Sequence, residues 1–401
     1  MDETVRALQV QQRGVGMSQI DPGTPTWLRA HNDRTAFRLL LEHGPLTRAQ
    51  LGALSGLSKP TAAQMLTRLE RVDLIRPVGE VSAGRGPNAV SYGVRDDRIT
   101  GVAISMLADA IHAVVVDATD AEHPIAEIPC GDGERTPESD VRRAVEAACE
   151  ASGVDVATVS NVVVGVQAAV NAVGDTLSLT DTLPGWPATG AREQIEQRLG
   201  LTVALENDVN LAAMVERASG ASADAATSVL FWIGQGLGMA LDFHGSVHRG
   251  AAGGAGEVGY LSVPRSAGDI EPDAVNLTGV IGGRVVARLL GAEPGQRLGD
   301  VLHRLPDDLA ALDAVADRVS IALEAVLAII DPELVVLGGP TGSTGGAALA
   351  GRVAARIDRQ SHPDLVVLPS ATGAQPVLLG ARRLLVERIR DLLEARITPA
   401  A

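Results

Sequence analysis

Four short apolar runs limit the folds open to this chain more than any other feature: NVVVGV at 161–166, LTVAL at 201–205, SVLFWIG at 228–234 and ELVVLGG at 333–339. Compact Val/Ile/Leu runs bounded by glycine or polar residues are what strands buried on both faces of a sheet look like. Ala-rich helical stretches separate them, which predicts α/β layering from about Thr100 onward. With aromatic residues at 2% and hydrophobic residues at 46%, the core must be Val, Leu, Ile and Ala, and a disordered chain is excluded. At 401 residues more than one domain is expected. No uninterrupted apolar run approaches the roughly 18–20 residues that a membrane span requires. The opening MDETVRALQVQQRG lacks the layout of a secretory signal, and Cys130 and Cys149 are too few for a disulfide framework. These features predict a cytoplasmic protein with reduced thiols.

Charge is unevenly spread. Residues 1–98 hold 13 Lys/Arg against 10 Asp/Glu, whereas the rest holds 21 against 39, within a total net charge of −15. A mildly basic head on an acidic body suits a DNA-reading module joined to a part that avoids DNA, though chance could give the same balance. Residues 1–30 are polar and punctuated by Gly and Pro, which predicts a poorly ordered tail.

From about 31 to 98 the pattern is helical and then hairpin-like. DRTAFRLLLEHG places Phe37, Leu40 and Leu41 at helical spacing, with Gly44 as the stop. Thr47 and Gln50 have the form of a capping box for a short second helix that Gly56 ends. Ser58 then offers an N-cap and Pro60 fits a first turn, so a third helix should follow. Its apolar stripe is Ala62, Met65, Leu66, Leu69 and Val72, while Ser58, Lys59, Thr61, Gln64 and Arg68 fall on other faces. Two short helices joined by a glycine turn read as a helix-turn-helix, and those five residues are the candidate DNA contacts. A helical trio with no DNA role would carry the same local signals. After it, LIRPVGEVSAGRGPNAVSYGV alternates as a β-hairpin wing should. Arg85 at its tip could enter a narrow A·T-rich minor groove or simply be solvated.

Taken together, these segments resemble the ROK group (repressors, open reading frames and kinases), and in particular its regulator branch. LSKPTAAQMLTRLERVDLIRPVG is similar to that branch's recognition helix and wing. TLPGW at 182–186, LENDVNLAAMVE at 205–216, IGQGLGMALDFHGSVHRGAAGGAGEVGY at 233–260 and DPELVVLGG at 331–339 resemble, in order, the sugar loop, the segment of the catalytic aspartate, the glycine loop with its sugar-binding stretch, and the glycines near the adenosine. The resemblance implies an N-terminal winged helix-turn-helix over 31–98 and a two-lobed, actin-like (ribonuclease-H-like) α/β body over 99–401. It also implies a homodimer or homotetramer on a pseudo-palindromic operator, with a sugar-like effector between the lobes. By the same resemblance Asp208 matches the base, Glu257 the sugar-binding glutamate, and Asn207 a hydroxyl partner.

The residues themselves allow that chemistry. Carboxylates and amides suit sugars because they fix hydroxyl orientation in pairs, and Asn207 and Asp208 stand where a strand meets a helix. Capping of that helix would explain them equally well. Trp186 could stack on a sugar or pack in a core.

Departures from the family pattern are as informative. Where kinases of the group carry Asp-x-Gly-x-Thr, this chain has GVAISMLADAIHAVVVD, with Ala103 at the aspartate position. That removes a metal carboxylate and the phosphate-holding turn, so no phosphoryl transfer is expected. Tyr260 stands where the resembled motif has a zinc-binding histidine, and no cysteine follows it, so neither a zinc nor another cofactor is expected. Tyr260 stays with Asn207, Asp208 and Glu257 as a candidate effector contact, although a phenol cannot copy an imidazole's two nitrogens. Thr182 replaces a common asparagine. The expectation is a DNA-binding transcription regulator of carbohydrate-related genes. A constitutive DNA binder with an empty cleft and an active sugar kinase are its rivals.

Overall fold

A computed structural model describes residues 24–82, 88–107, 109–130, 135–179 and 183–397. The chain divides into two compact units, Met1–Arg98 with Arg388–Ala401, and Ile99–Glu387.

The first unit opens with α1 (Pro25–His43), whose first six residues lie inside the tail expected from the sequence. Thr24 caps it by accepting a bond from the Trp27 amide at 3.1 Å, and Pro25 occupies the first turn. The Gly/Pro texture that suggests disorder is here the chemistry of a helix start. Residues 1–23 lie outside the described residues. After β1 (Leu46–Thr47) comes α2 (Arg48–Ser55), which begins with the expected capping box and ends at Gly56 in the left-handed region. Ser58 caps α3 (Lys59–Arg71). The strands β2 (Ile75–Val81) and β3 (Ala89–Val94) pair antiparallel, in a sheet of order β1-β3-β2. Phe37, Leu40, Leu51, Met65, Leu66 and Leu69 fill the core, whereas Val72 caps α3 and is exposed. Burying such a set is what orders helices too short to persist alone. Residues 388–397 join this unit rather than the body, for Arg38 forks onto Glu394 at 2.6 and 2.7 Å and Leu393 is buried.

The second unit is built twice on one plan. In the first lobe, β4 (Thr100–Met106), β5 (Ala110–Val116) and β6 (Ala126–Pro129) form an antiparallel meander. Helix α4 (Pro137–Ser152) then leads to β7 (Val159–Val166), parallel to β4. A small hairpin, β8 (Ala169–Asn171) and β9 (Thr176–Ser178), precedes α5 (Ala191–Leu199), β10 (Thr202–Asn207) and α6 (Asp208–Ser219). The sheet order is β10-β7-β4-β5-β6.

The second lobe repeats the meander with β11 (Thr227–Ile233), β12 (Leu237–Phe243) and β13 (Ser246–Val247). Short helices α7 (Leu277–Ile281), α8 (Gly283–Leu289) and α9 (Leu298–Val301) precede α10 (Leu309–Ile330), β14 (Leu334–Gly338), α11 (Gly339–Ala354), β15 (Val366–Pro369) and α12 (Pro376–Ala395). Its sheet order, β13-β12-β11-β14-β15, copies the first. The mixed sheets explain why only part of the body reads as doubly buried runs. β7, β11 and β14 lie inside their sheets, while the meander edges are short. Each lobe has its own aliphatic core: one around Val102, Ile104, Val162 and Val164, the other around Phe231, Ile233, Val335 and Leu337.

Candidate functional site

Parallel strands of a doubly wound body end where their carbonyl edges open onto a crevice, and there α/β proteins place their ligands. Strands β7 and β10 of the first lobe both end at such a crevice. Its walls are Gln167 and Ala168 after β7, Asn207 and Asp208 after β10, Trp232, Gln235 to Met239, and the stretch carrying Glu257 and Tyr260. Residues from Glu271 to Arg288 close the far side of a cavity of about 840 Å³. That volume falls within the range of small-molecule sites.

Asn207 serves both roles the sequence allows. Its side-chain oxygen accepts the Asn210 amide at 3.0 Å, capping α6, and its Nδ2 donates to the Ala168 carbonyl at 3.0 Å. Asp208 follows in the first turn of α6, 8% exposed, with Oδ1 accepting the Val209 amide at 2.8 Å. Burial, helped by the nearby Glu257 carboxylate, pushes its pKa up to about 7 against the pull of that amide. Burial also raises Glu257, whose carboxylate makes no hydrogen bond to a described residue. A carboxyl that keeps its proton donates as well as accepts, and an ionised one accepts, so the two side chains together offer both roles to a polyhydroxylated ligand.

Glycines set the position of Glu257. At Gly256 φ is +92° and a Cβ would stand 1.9 Å from the Met239 carbonyl oxygen; at Gly253 φ is +79° and a Cβ would stand 1.9 Å from that of Val170. Only glycine lets this loop lie so close to both lobes. Arg249 pins the loop further by donating from Nε to Glu206 Oε2 at 2.7 Å. Tyr260 is 46% exposed on the cavity rim. Trp186 is not a stacking platform here: it is 6% exposed in the first-lobe core, its indole donating to Asp140 Oδ2 at 3.0 Å. Thr182 lies outside the described residues. Gln167, Gln235 and Arg284 were not singled out from the sequence. Gln167 directly follows the buried run NVVVGV, which is the available signal for the first.

Ala103, which the resemblance sets at the aspartate position of the kinase motif, is fully buried in the middle of β4, paired with Val114 and Val163. The strand runs on to Met106, so no carboxylate or glycine turn stands at that point.

In the first unit, Ser58, Lys59 and Gln64 are exposed at the N-terminal half of α3, and Thr61 is half-buried. The Ser58 and Thr61 hydroxyls bond each other at 2.9 Å, and Lys59 and Gln64 have no partner among the described residues. Arg68 is different. Its guanidinium forks onto the buried Asp33 of α1, Nε and Nη2 each at 2.7 Å, so it is a helix–helix clamp rather than a free cation. Arg85 lies outside the described residues.

The family model for ROK matches residues 102–388, most of the chain. The chain belongs to the ROK family. The xylose repressor of Bacillus spizizenii is 19% identical over 403 residues, covering 94% of this chain and all of that protein. The chain spans 54% to 61% of the length of three other curated relatives it matches. Among solved structures, a ROK family transcriptional regulator, a homologue of the E. coli MLC protein, superposes with a TM-score of 0.64 at 19% identity, covering 93% of this chain and all of that one. A ROK family glucokinase from Streptomyces griseus, solved with glucose and AMPPNP, gives 0.56 at 22% identity, covering 71% of this chain and 98% of that one. At these identities the structural likeness establishes the fold, in which ROK regulators and ROK kinases share one α/β body.

Proposed function

We propose that this ROK protein is a sugar-responsive, DNA-binding transcription repressor whose body binds its effector without phosphorylating it. One observation carries the reading. The cleft brings together the buried carboxyl of Asp208 and the half-buried carboxyl of Glu257, while Ala103 fills the place of the carboxylate that phosphoryl transfer would need. The kinship with a xylose repressor and the likeness to a ROK regulator over both units support it. The unpartnered Lys59 and Gln64, with Ser58 and Thr61, form the proposed reading edge of α3, and Arg85 on the wing remains a proposed minor-groove contact. Asn207, Asp208, Glu257 and Tyr260 are the proposed effector contacts. Two copies or more on a pseudo-palindromic operator in the cytoplasm complete the proposal.

Selecting an operator from a random DNA pool, then titrating xylose and a panel of pentoses and hexoses against the complex, tests it. The expected result is release of DNA by at least one sugar, and no sugar-dependent ADP. Lys59→Ala should weaken DNA binding and, where the contact is to phosphate, lower its salt slope by about 1. Selection of no DNA sequence would overturn the proposal.

A further inference from the structure

Of the 34 Lys and Arg residues in the chain, 33 are arginine, and the one lysine is Lys59. A sequence that meets nearly every need for a cation with arginine keeps lysine at a single place, the first position of α3. There the side chain is exposed and has neither ion pair nor hydrogen bond among the described residues. By contrast, Arg38, Arg68, Arg76, Arg95 and Arg98 of the same unit each hold a carboxylate.

Neither the fold nor a phosphate contact calls for an amine at this position. A cation in the first turn stands beside the positive end of the helix dipole, where a neutral or negative side chain is preferred. The start of α3 is secured without it, for the Ser58 hydroxyl accepts the Thr61 amide at 3.4 Å and Pro60 occupies the first turn. A guanidinium would hold a phosphate at least as well, since it carries the same charge and can bond two oxygens. What lysine adds is a primary amine, which becomes a nucleophile once it gives up a proton.

We propose that Lys59 is a regulatory acylation site, modified by an acyl thioester so as to lower the protein's affinity for DNA. The proposal rests on the DNA-reading role given to α3 above. The ammonium loses one proton to water and the amine attacks the acyl carbon. A C–N bond forms, the C–S bond breaks, the departing thiolate takes up a second proton from the nitrogen, and an uncharged amide remains. Neither group is oxidised or reduced. Removing the charge takes one phosphate contact from each first unit bound to DNA. The fold is spared, because the same change relieves the opposition between the cation and the helix dipole. The reading edge is thereby switched while Ala62, Met65, Leu66 and Leu69 stay packed in the core.

Two measurements test this. Trypsin cuts after Arg48 and Arg68 and leaves the Lys59–Pro60 bond whole, so residues 49–68 form one peptide in either state. Mass mapping of the full chain isolated from its native cells, grown with and without added acetate, should find an acyl group on that peptide. A peptide that carries none in either culture would overturn the site. The second measurement compares the unmodified full chain with one made with Nζ-acetyl-lysine at position 59, both on an operator selected from random DNA. Loss of one phosphate contact predicts binding about eightfold weaker per bound unit at ~0.1 M salt, and a salt slope lower by about 1 per unit. The unfolding temperature should be unchanged or raised. Equal affinity and slope in the two forms would overturn the switch. An acetylated chain that unfolds earlier would also overturn it, since weaker binding would then be a folding defect. If the unmodified chain selects no DNA, the regulatory reading fails and takes this proposal with it; an operator bound equally by both forms defeats the proposal alone.

Discussion

Replacing Asp208 by asparagine should change how the protein's stability depends on pH. The folded carboxyl has its pKa raised from 3.8 to about 7 by burial, with the Glu257 charge adding to the effect. A raised acid pKa means that the folded state holds a proton which the unfolded chain releases. Stability from this group is therefore fully present below about pH 4 and lost as pH rises toward 7, with no further change above. Each pKa unit corresponds to about 1.4 kcal/mol, so the complete loss is about 4 kcal/mol, of which about 3 falls between pH 5 and pH 8. The asparagine amide keeps the acceptor for Val209 and does not titrate, though its buried NH₂ costs about 1–3 kcal/mol at every pH. Comparing the two pH values cancels that cost. Thermal unfolding of wild type and Asp208→Asn at pH 5 and pH 8 should show the Tm difference moving in the variant's favour. At roughly 2 °C per kcal/mol for a unit this large, the movement is about 6 °C. A Tm difference that is the same at both pH values would refute a buried, proton-holding Asp208.

Three further outcomes follow from the geometry. Arg68→Ala should lower the Tm of the first unit by stranding Asp33, at a cost of about 2–4 kcal/mol, below the fully buried limit because Arg68 is a quarter exposed. A large loss of DNA affinity with no loss of stability would instead make Arg68 a DNA contact. Gly256→Ala should cost at least about 1–2 kcal/mol and abolish the sugar response, since the left-handed backbone and the Met239 carbonyl leave no room for a Cβ; calorimetry and the release assay would show both. Metal analysis of untagged protein should find no stoichiometric zinc, and a coupled assay no sugar-dependent ADP, on the strength of Tyr260 and Ala103.

Local chemistry was legible in the sequence and remote pairing was not. The Thr47–Gln50 capping box, the Gly56 turn and the Ser58 cap are written within a few residues of each other, and each appears in the structure where its pattern stands. The same chemistry announces α1 at Thr24-Pro25, but there it sits inside a Gly/Pro-rich stretch whose composition argues for disorder. Arg68 reads as a free cation because its partner is 35 residues away on another helix. The duplicated lobe plan leaves no sequence repeat, since topology constrains strand order and burial rather than residue identity. Asn207 and Asp208 could be located as a polar pair at a strand end, yet the raised pKa of Asp208 depends on a burial that only the fold supplies.

Phosphoryl transfer and ligand recognition ask different things of the same cleft. A transferring site needs a carboxylate for the metal, a turn of backbone amides for the phosphates and a base that loses its proton in the reaction. Recognition needs only paired donors and acceptors held still in a partly dry cavity. On the proposed reading Ala103 removes the first requirement, for it lies fully buried in the middle of β4, paired with Val114 and Val163. The proposal assigns the second to Asn207, Asp208 and Glu257, the last of them carried by the glycine loop. A neutral Asp208 meets a hydroxyl as donor and acceptor at once, whereas the ionised form only accepts. In a cleft that only recognises its ligand, binding energy is not spent on a transition state, so all of it is available to favour one conformation over another. Any bias on the operator equals the difference in effector affinity between those conformations, and bound operator must weaken the effector by the same factor.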